Sequence, residues 1–544
     1  MRMVEQEVGD RCRVWRLNDA VARLASSPIT VALKADFPAS AARLEVSRDL
    51  CLRYPHVEAD GHLCHGVHAE PEDFKAPVEA IGKVLDRLAD FLTQCQEPGW
   101  LEAEFHRERQ DYWIRHVALC KGRSQRRGIE LFLDVDVNAG PVQDVVAIHL
   151  GQGGRALAAS SASGPEKVAQ ARVWTVGTLV RGGCLVVVLP DAERWTPTTW
   201  PRSFDDLDAL LSSITGVAVK LSSWYRSTRW PNKAPVAVAL LQGPAVFGWQ
   251  VVAEAVPRLS RPTLVPIGVS RIDRQWSLSR DHRTGDLRAL SAKRVAVLGC
   301  GSLGSQVVEL LARAGVGRLE VVDPQTLESE NVARHLLGLA SVGAGKAAAV
   351  CAHVERNVPG AMLTPFSCST ANWLARLRPD DAFHLVIDCT GERSVRMPLS
   401  RLRNTLLMGA PIAMAWMEPE CAAAHVVMVA GPDAWPASDP AESAVNVAVW
   451  PDGVKVDLPG CSEGFHPYGM ADSARAAGLA TERALAVLGG NCQTSGVWSM
   501  VRNREYFEGV VIGLLFNIEP PTGEHTESVT LFRKLPSDEP CALP

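Results

Sequence analysis

The sequence predicts an α/β protein of several domains, with a mainly parallel sheet in its last block. Three observations support this. The 544-residue chain is too long for one ordinary hydrophobic core, which favours two to four domains. From about residue 271, strand-like and helical runs alternate, as they do in a parallel sheet covered by helices. Residues 128–266 instead carry strand-like runs separated by glycine and proline, which predicts an α/β or β-rich region.

The composition excludes several classes of protein. With 47% hydrophobic and 22% charged residues the chain is typical of soluble globular proteins, and its net charge of -5 provides no general attraction to nucleic acid or anionic membranes. No apolar stretch approaches the roughly 20 residues that cross a bilayer. The first residues include acidic side chains where a signal peptide would be apolar. Fourteen cysteines without a CxxC pair fit neither a disulfide scaffold nor a zinc ribbon. We therefore expect a cytoplasmic protein that binds neither nucleic acid nor membrane.

The elements predicted along the chain define three regions. In the first region, short strands at 29–33 and 42–46 precede helical runs at 76–95 and 101–117. In the second, apolar strands lie at 129–133, 144–148 and 184–189. In the third, strands and helices alternate. We place the domains at 1–125, 126–270 and 271–544.

A nucleotide site is predicted at the first turn of the last region. The apolar strand 294–298 leads into a G-x-G-x-x-G loop, and a helix follows; the loop contributes Gly299, Gly301, Ser302 and Gly304. A second strand, 319–322, ends in Asp323. Glycines allow the backbone to approach phosphate, the helix N-terminus favours its negative charge, and the acid accepts hydrogen bonds from ribose.

The residues after the second strand favour ATP over NAD. Asn331, Arg334 and Lys346 follow Asp323, and Asp388 ends the strand 385–388. A dehydrogenase needs no such polar cluster, whereas an enzyme that stabilises charge on ATP phosphates needs arginine and lysine nearby. A NAD-dependent oxidoreductase stays open as the less favoured use of the same strand–loop–helix unit.

These motifs, in this order, resemble the E1/ThiF/MoeB adenylation family, and the resemblance covers residues 271–519. The family has a Rossmann-like domain and uses ATP and Mg²⁺ to activate the C-terminal carboxylate of ubiquitin-like proteins. The resemblance implies that Asp323 holds ribose, that the phosphates are bound by Asn331, Arg334 and Lys346, and that Asp388 organises Mg²⁺.

The resemblance also has consequences for assembly and for the branch of the family. Homodimeric members lend an arginine across the dimer to the partner's ATP, and Arg274 or Arg280 stands at about the expected distance before the glycine loop. We therefore expect a homodimer formed through the adenylation domain. His335 stands where better-known members have glutamine, which indicates a divergent branch.

A cysteine downstream of the ATP site should accept the activated acyl group. Cys389 ends a strand, and Cys421 has carboxylates beside it that disfavour a thiolate. Cys461 lies in a Gly/Pro-rich stretch before a helical run at 471–488, and His466 follows it. Because flexibility and a helix N-terminus both suit a reactive thiolate, Cys461 is the predicted nucleophile. Its P-G-C-x-x-x-F segment resembles the catalytic-cysteine loop of bacterial E1-like proteins.

A second thiol is predicted near the start of the chain. Tyr54-Pro55-His56 is followed by Asp60-Gly61-His62-Leu63-Cys64 and then by a helical run. This segment resembles the active site of E2 ubiquitin-conjugating enzymes, in which a His-Pro-Asn triplet precedes the cysteine. The resemblance implies that Cys64 carries an acyl group and that His56, at the position of the asparagine, supports the oxyanion.

The whole arrangement resembles the bacterial E1–E2 fusion proteins, best known from the CD-NTase (CBASS) anti-phage islands. The resemblance implies a small α+β E2-like domain at 1–125, a linker domain at 126–270 and a ThiF/E1-like adenylation domain at 271–544. It implies adenylation of a ubiquitin-like protein or a CD-NTase C-terminus, thioesters on Cys461 and then Cys64, and conjugation to an amine of a target protein. Two further alternatives stay open. One is a ThiF/MoeB-like adenylyltransferase for a sulfur carrier, with an inert N-terminal domain; the other is a non-catalytic scaffold.

Overall fold

The computed structural model of the chain describes residues 3–9, 12–17, 23–123, 128–151, 154–160, 164–177, 180–214, 219–227, 230–253, 262–279, 287–378, 380–456, 465–490, 494–523 and 526–536. The chain forms two compact units. One comprises Met1–Gln170 with Trp174–Ile272, and the other comprises Asp273–Pro544 with Ala171–Val173. The first unit spans both regions predicted as the two N-terminal domains, and their separation stays a prediction.

An antiparallel sheet of five strands lies in the N-terminal part of the first unit. Its strands, in sheet order, are Met3–Gly9, Cys12–Leu17, Thr30–Lys34, Arg43–Glu45 and His62–Leu63. Helix Pro77–Gln94 covers the sheet because its buried residues recur at helical spacing on one face. Val84 and Leu88 of this helix pack in one core with Leu44 and Leu63 of the sheet.

A mixed sheet of eight strands lies in the rest of the first unit, and three of these strands match the predicted apolar runs at 129–133, 144–148 and 184–189. Its strands, in sheet order, are Thr263–Ile267, Ala245–Val252, Val236–Gln242, Gly182–Val188, Val142–Leu150, Arg155–Ala159, Glu130–Asp134 and Val269–Arg271. Tyr112 and Trp113 of a polar helix are buried in the same core as Phe247 and Trp249. The predicted helix 101–117 is two helices that meet at Glu108. Glutamate is not a helix-breaking residue type, so the pattern did not indicate this break.

The second unit is built on a sheet of eight strands that is parallel only in its first half. In sheet order the strands are Met362–Phe366, Arg318–Val322, Arg294–Leu298, Leu385–Asp388, Ile412–Met417, Ala423–Val429, Gly496–Arg502 and Ser528–Arg533. The first five run parallel and the last three add antiparallel pairs. The prediction of a mainly parallel sheet is therefore correct for the strands around the glycine loop and wrong for the other edge. Strand direction is set by long-range pairing, which apolar runs do not encode.

Helices cover both faces of this sheet. Val295 and Val297 face a core shared with helices Ser302–Arg313 and Met470–Leu488, while Ala296 and Leu298 face the opposite core. The alternation follows from the two-residue period of a strand.

The α-helices of the described residues are Pro77–Gln94, Trp100–Arg107, Arg109–Arg123, Pro165–Ala171, Phe204–Ser213, Leu221–Ser227, Arg274–Leu278, Leu287–Ser291, Ser302–Arg313, Lys346–Asn357, Thr370–Leu374, Arg393–Leu402, Met470–Leu488 and Arg504–Val510. None of these helices is both long and apolar enough to cross a membrane.

Candidate active site

The glycine loop connects the central parallel strand to helix Ser302–Arg313. Gly299 has a φ of +81°, and a Cβ there would lie 2.8 Å from the Thr390 Cγ2 atom. A Cβ at Gly304 would lie only 1.9 Å from the Gly299 carbonyl oxygen. Around Gly301, in contrast, a Cβ would meet nothing within 4 Å. Two glycines are therefore required by packing, and the third leaves open space at the helix N-terminus, where phosphate binds favourably.

Two buried carboxylates stand at the carboxyl edge of the sheet beside this loop. Asp323 follows strand Arg318–Val322, and its oxygens accept hydrogen bonds from the backbone N–H of Cys300 (2.6 Å) and Gln325 (2.7 Å). Asp388 ends strand Leu385–Asp388, which pairs with the other side of strand Arg294–Leu298 and is in register with Leu298. Hydrogen bonds therefore fix Asp323 against the glycine loop, and strand pairing places Asp388 on the opposite side of the strand that precedes the loop.

The Asp388 carboxylate is almost fully buried. It is 1% exposed, and burial raises its pKa from 3.8 to about 6. The backbone N–H of Thr390 (2.9 Å) and its hydroxyl (2.7 Å) both donate to Oδ1. A carboxylate held in this way suits a cation ligand, since a bound cation would offset the cost of burying the charge.

The predicted phosphate ligands lie on the chain that follows Asp323. Lys346 is the first residue of helix Lys346–Asn357; it is buried, and its Nζ donates to the Gln325 side chain at 2.7 Å. Asn331 closes a short 3₁₀ turn by accepting from the Glu328 N–H at 3.1 Å. The half-buried Arg334 guanidinium lies beside two aromatic rings.

His335 is a buried neutral residue in this structure. Its Nδ1 accepts from the Leu337 N–H at 3.0 Å, so its Nε2–H donates to the Cys300 carbonyl at 2.7 Å. Burial lowers the pKa of this imidazole. His335 thus holds the backbone of the glycine loop.

The segment after the predicted nucleophile contacts residues of the predicted nucleotide site, which the sequence did not indicate. The rings of Phe465 and Tyr468 lie 5.4 and 5.1 Å from the Arg334 guanidinium, and the Tyr468 hydroxyl lies 2.7 Å from the Ser302 hydroxyl. Cys461 itself lies outside the described residues. The only local signal was the position of two aromatic residues in a Gly/Pro-rich stretch.

The rival cysteines are unsuited to nucleophilic attack. Cys421 is buried, and burial together with Asp472 raises the pKa of its thiol to about 12. From the sequence, the flanking carboxylates were expected to raise the pKa of Cys421, whereas burial is the larger cause. Burial also raises the pKa of Cys389.

Of the two arginines predicted to act across a dimer, Arg274 is among the described residues. The Arg274 guanidinium donates to the carbonyls of Gly315 and Gly360, each at 2.5 Å. Both carbonyls precede strands, at the amino edge of the sheet, opposite to the glycine loop. Arg280 lies outside the described residues. A role for either arginine across a dimer stays a prediction.

Comparison with known proteins identifies part of this unit. Residues 272–411 match the model of the ThiF family, and this range contains the glycine loop, both carboxylates and the predicted phosphate ligands. This segment is a ThiF-family domain. It ends before the antiparallel half of the sheet, so the strands from Ile412–Met417 onward extend beyond the matched ThiF segment.

The chain is related to Cap2, described as an ATP-dependent ubiquitin transferase-like protein. It is 32% identical to Cap2 of Enterobacter hormaechei over 198 residues, which cover 35% of this chain and 31% of the relative. It is 29% identical to Cap2 of Vibrio cholerae over 244 residues, which cover 41% of this chain and 40% of the relative. It is also 41% identical to the adenylyltransferase and sulfurtransferase MOCS3 of Mus musculus over 159 residues, covering 28% and 31%. The matches thus span less than half the length of each relative. The solved structure of PaaA gives 15% identity and a TM-score of 0.32, covering 47% of this chain and 70% of that one.

Cys64 lies outside the ThiF segment, in the first unit. It is exposed, and its N–H donates to the His56 carbonyl at 2.8 Å, which brings the two predicted residues together. His56 has a φ of +62°, and its Nε2 lies 2.8 Å from Glu104 Oε1. Glu104 and Glu108 are not among the residues predicted for this site, although two acids four residues apart on a predicted helix were a usable signal.

Proposed function

We propose that the chain uses ATP to convert the C-terminal carboxylate of a partner protein into an acyl adenylate. The partner would be a ubiquitin-like protein or a CD-NTase. The observation that carries the proposal is the convergence at one sheet edge of an open glycine loop, the carboxylates Asp323 and Asp388, and the cations Arg334 and Lys346. Parallel α/β sheets bind ligands at the carboxyl ends of their strands.

Each residue has a chemical task in this proposal. The N-terminus of helix Ser302–Arg313, with Asn331, Arg334 and Lys346, would bind the phosphates of the substrate ATP. Asp323 would accept hydrogen bonds from its ribose. Asp388 would hold Mg²⁺, which supplies positive charge beside the triphosphate when bound.

Cys461 would then take the acyl group. Its thiolate sulfur attacks the acyl carbonyl carbon, a C–S bond forms, and AMP leaves with the electron pair of the broken C–O bond. The contacts of Phe465 and Tyr468 with Arg334 and Ser302 support this step, because they hold the chain just beyond Cys461 at the glycine loop. Burial lowers the pKa of His466 and so favours its neutral form, which can accept the thiol proton.

Cys64 would receive the acyl group from Cys461 by thiol exchange and pass it to an amine of a target protein. Its exposure, the helix after it and its hydrogen bond to His56 support an E2-like role for the first sheet. We also propose that the chain acts as a homodimer through the ThiF domain. The name of Cap2, an ATP-dependent ubiquitin transferase-like protein, agrees with this reading of the related segment.

A second function deserves a direct test because of the MOCS3 match. In that alternative the chain adenylates a sulfur-carrier protein and the N-terminal region is inert. Both functions require ATP, but only the first requires an acyl group on Cys64. Adenylation with no adduct on Cys64 favours the alternative.

Pyrophosphate exchange tests the adenylation step shared by both functions. Small proteins encoded beside this chain's gene would be supplied singly as the carboxylate substrate, with Mg-ATP. The wild-type chain should exchange labelled pyrophosphate into ATP with one of them, and Lys346→Ala should lose most of this exchange. Lys534→Ala, an exposed lysine of the same unit, is the matched control. Binding of NAD in preference to ATP contradicts the proposal and favours an oxidoreductase.

A further inference from the structure

A cavity of about 570 Å³ opens beside Cys64 in the first unit. His56 and the segment 64–66 form one side of it, and helices Pro77–Gln94 and Trp100–Arg107 form the others. Three carboxylates line it, from Asp90, Glu104 and Glu108, against two guanidinium groups from Arg87 and Arg107. This excess of negative charge favours the binding of a cationic group, such as a primary ammonium group, over an anion.

The His56 imidazole in this cavity is held by contacts on several sides. Its Nε2 lies 2.8 Å from Glu104 Oε1. Its main-chain N–H donates to the Tyr112 hydroxyl oxygen at 3.0 Å, and its carbonyl accepts from the Cys64 N–H at 2.8 Å. The ring of Phe91 packs edge-on against it, with 6.1 Å between ring centroids. The imidazole is thus fixed on a backbone that is itself hydrogen-bonded to the thiol residue.

The partners of the ring define which nitrogen is free. A carboxylate can only accept, so Nε2–H donates to Glu104 and the lone pair of the neutral ring is at Nδ1. Glu108 Oε2 lies 3.6 Å from Nδ1, which is beyond hydrogen-bond distance. His56 in this form is a proton acceptor and has no second N–H for an oxyanion, the role implied by the sequence resemblance.

A carboxylate oxygen lies within 4 Å of each ring nitrogen of His56. The imidazolium would lie between two carboxylates, Glu104 and Glu108. Burial raises the pKa of Glu104, but the Arg107 and His56 contacts outweigh it and leave the pKa lowered, so this carboxylate stays ionised. The Arg107 guanidinium donates to both oxygens of Glu104, from Nε to Oε2 at 3.0 Å and from Nη2 to Oε1, so Oε1 accepts from Arg107 as well as from the imidazole.

We propose that His56 accepts the proton of a primary amine that attacks the Cys64 thioester, and that Glu104 is the positioning residue that sets its tautomer. The inference rests on the proposed function, because it requires an acyl group on Cys64. The amine nitrogen attacks the thioester carbonyl carbon, and a C–N bond forms. The C–S bond breaks, its electron pair goes to the Cys64 sulfur as a thiolate, and the amine proton goes to Nδ1 of His56. The acceptor is a lysine side chain or another primary amine.

The test separates proton removal from every other property of the site. Full-length Cys461→Ala protein is loaded at Cys64 with a fluorescent peptide thioester of mercaptoethanesulfonate, and peptide mass mapping confirms the site. After the excess reagent is removed, free lysine or hydroxylamine is added at neutral pH and loss of the thioester is followed on non-reducing gels. Lysine is protonated at neutral pH and needs a base, whereas hydroxylamine is largely unprotonated and does not.

Two substitutions have distinct expected effects. Glu104→Gln can present an N–H to Nε2 and so favours the wrong tautomer, and it should slow lysine discharge by about tenfold or more. His56→Asn restores the residue of the family triplet and tolerates a positive φ, yet should slow lysine discharge on the order of 100-fold because an amide is not a base. Both variants should discharge to hydroxylamine at about the wild-type rate. Glu102→Gln, an exposed acid on the same helix, should leave both reactions unchanged.

The outcomes distinguish the inference from the function on which it rests. If His56→Asn retains lysine discharge, the residue is an oxyanion donor and the inference is overturned. Equal slowing of both nucleophiles indicates a structural role and also overturns it. The donor atoms of His56, Glu104 and Glu108 lie within 4.8 Å of one another, so a metal ion is a rival occupant. Lysine discharge that requires added Zn²⁺ overturns the inference in favour of that ion. Failure of ATP-driven loading with normal discharge of the chemically loaded protein contradicts only the proposed function.

Discussion

Replacing Asp388 with asparagine should stabilise the second unit while abolishing its chemistry. The carboxylate is 1% exposed, and burial raises its pKa from 3.8 to about 6. At about 1.36 kcal/mol per pH unit, this difference of 2.2 pH units costs about 3 kcal/mol of folding free energy at neutral pH. Asparagine removes the charge and keeps an oxygen for the two Thr390 hydrogen bonds. Since these bonds become weaker without the charge, we expect a gain of about 1–3 kcal/mol.

The raised pKa of Asp388 determines in which direction the stability of the second unit changes with pH. A raised folded pKa means that the folded unit binds more protons than the unfolded chain between about pH 4 and 6. The wild type therefore loses stability as pH rises through this window, and Asp388→Asn does not. The advantage of the variant should be small near pH 4 and complete above pH 6.

Thermal unfolding of the full chain without ATP or Mg²⁺ measures this effect. The transition of the second unit is identified in the wild type as the one that Mg-ATP shifts upward. Asp381→Asn is the matched control of opposite sign, because hydrogen bonds from the Arg378 N–H and the Arg294 side chain lower the pKa of Asp381. A stability gain together with lost pyrophosphate exchange supports the account. A variant that is less stable than wild type at neutral pH, or equally displaced at every pH, refutes the reasoning.

Three further substitutions test other parts of the second unit. Gly304→Ala places a Cβ 1.9 Å from a backbone oxygen and should lower the free energy of unfolding by about 1–3 kcal/mol. It should also abolish the rise in unfolding temperature that Mg-ATP causes, and thermal unfolding measures both effects. Tyr468→Phe removes the 2.7 Å contact with Ser302, worth about 0.5–1.5 kcal/mol, so thioester formation should slow by about tenfold at most while pyrophosphate exchange changes less. The buried Glu418 carboxylate accepts from Trp450 at 2.7 Å, from two backbone N–H groups and from a histidine, and Glu418→Gln should cost about 3–5 kcal/mol in denaturant unfolding. An unchanged midpoint for Glu418→Gln would show that the network contributes no stability.

Local patterns predicted the parts of the site that local physics determines. The strand before Gly299, the helix after it and the acid at Asp323 follow from an apolar run, glycine chemistry and the two-residue period of a strand. These three predictions needed no knowledge of distant contacts. The place of Asp388 beside them depends on the parallel pairing of strand Leu385–Asp388 with Arg294–Leu298, which are far apart in the chain.

The remaining features depend on contacts between distant residues. Ser302 and Tyr468 are 166 residues apart in the chain, and His56 and Glu104 are 48 apart. Neither pair leaves a periodic signal in the sequence. The tautomer of His56 is a consequence of the second pair, so the resemblance alone implied an oxyanion donor where the contacts favour a proton acceptor. The antiparallel edge of the sheet was missed for the same reason.

The most direct measurement of the central claim is the ATP-dependent transfer of a protein between the two cysteines. The full chain is incubated with Mg-ATP and the candidate modifier, and thiol-reversible adducts are mapped by mass spectrometry. The account predicts adducts on Cys461 and Cys64 in the wild type, none on Cys64 in Cys461→Ala, and an adduct on Cys461 without conjugated product in Cys64→Ala. Conjugated product from Cys64→Ala, or adenylation without any thiol-reversible adduct in the wild type, would contradict it.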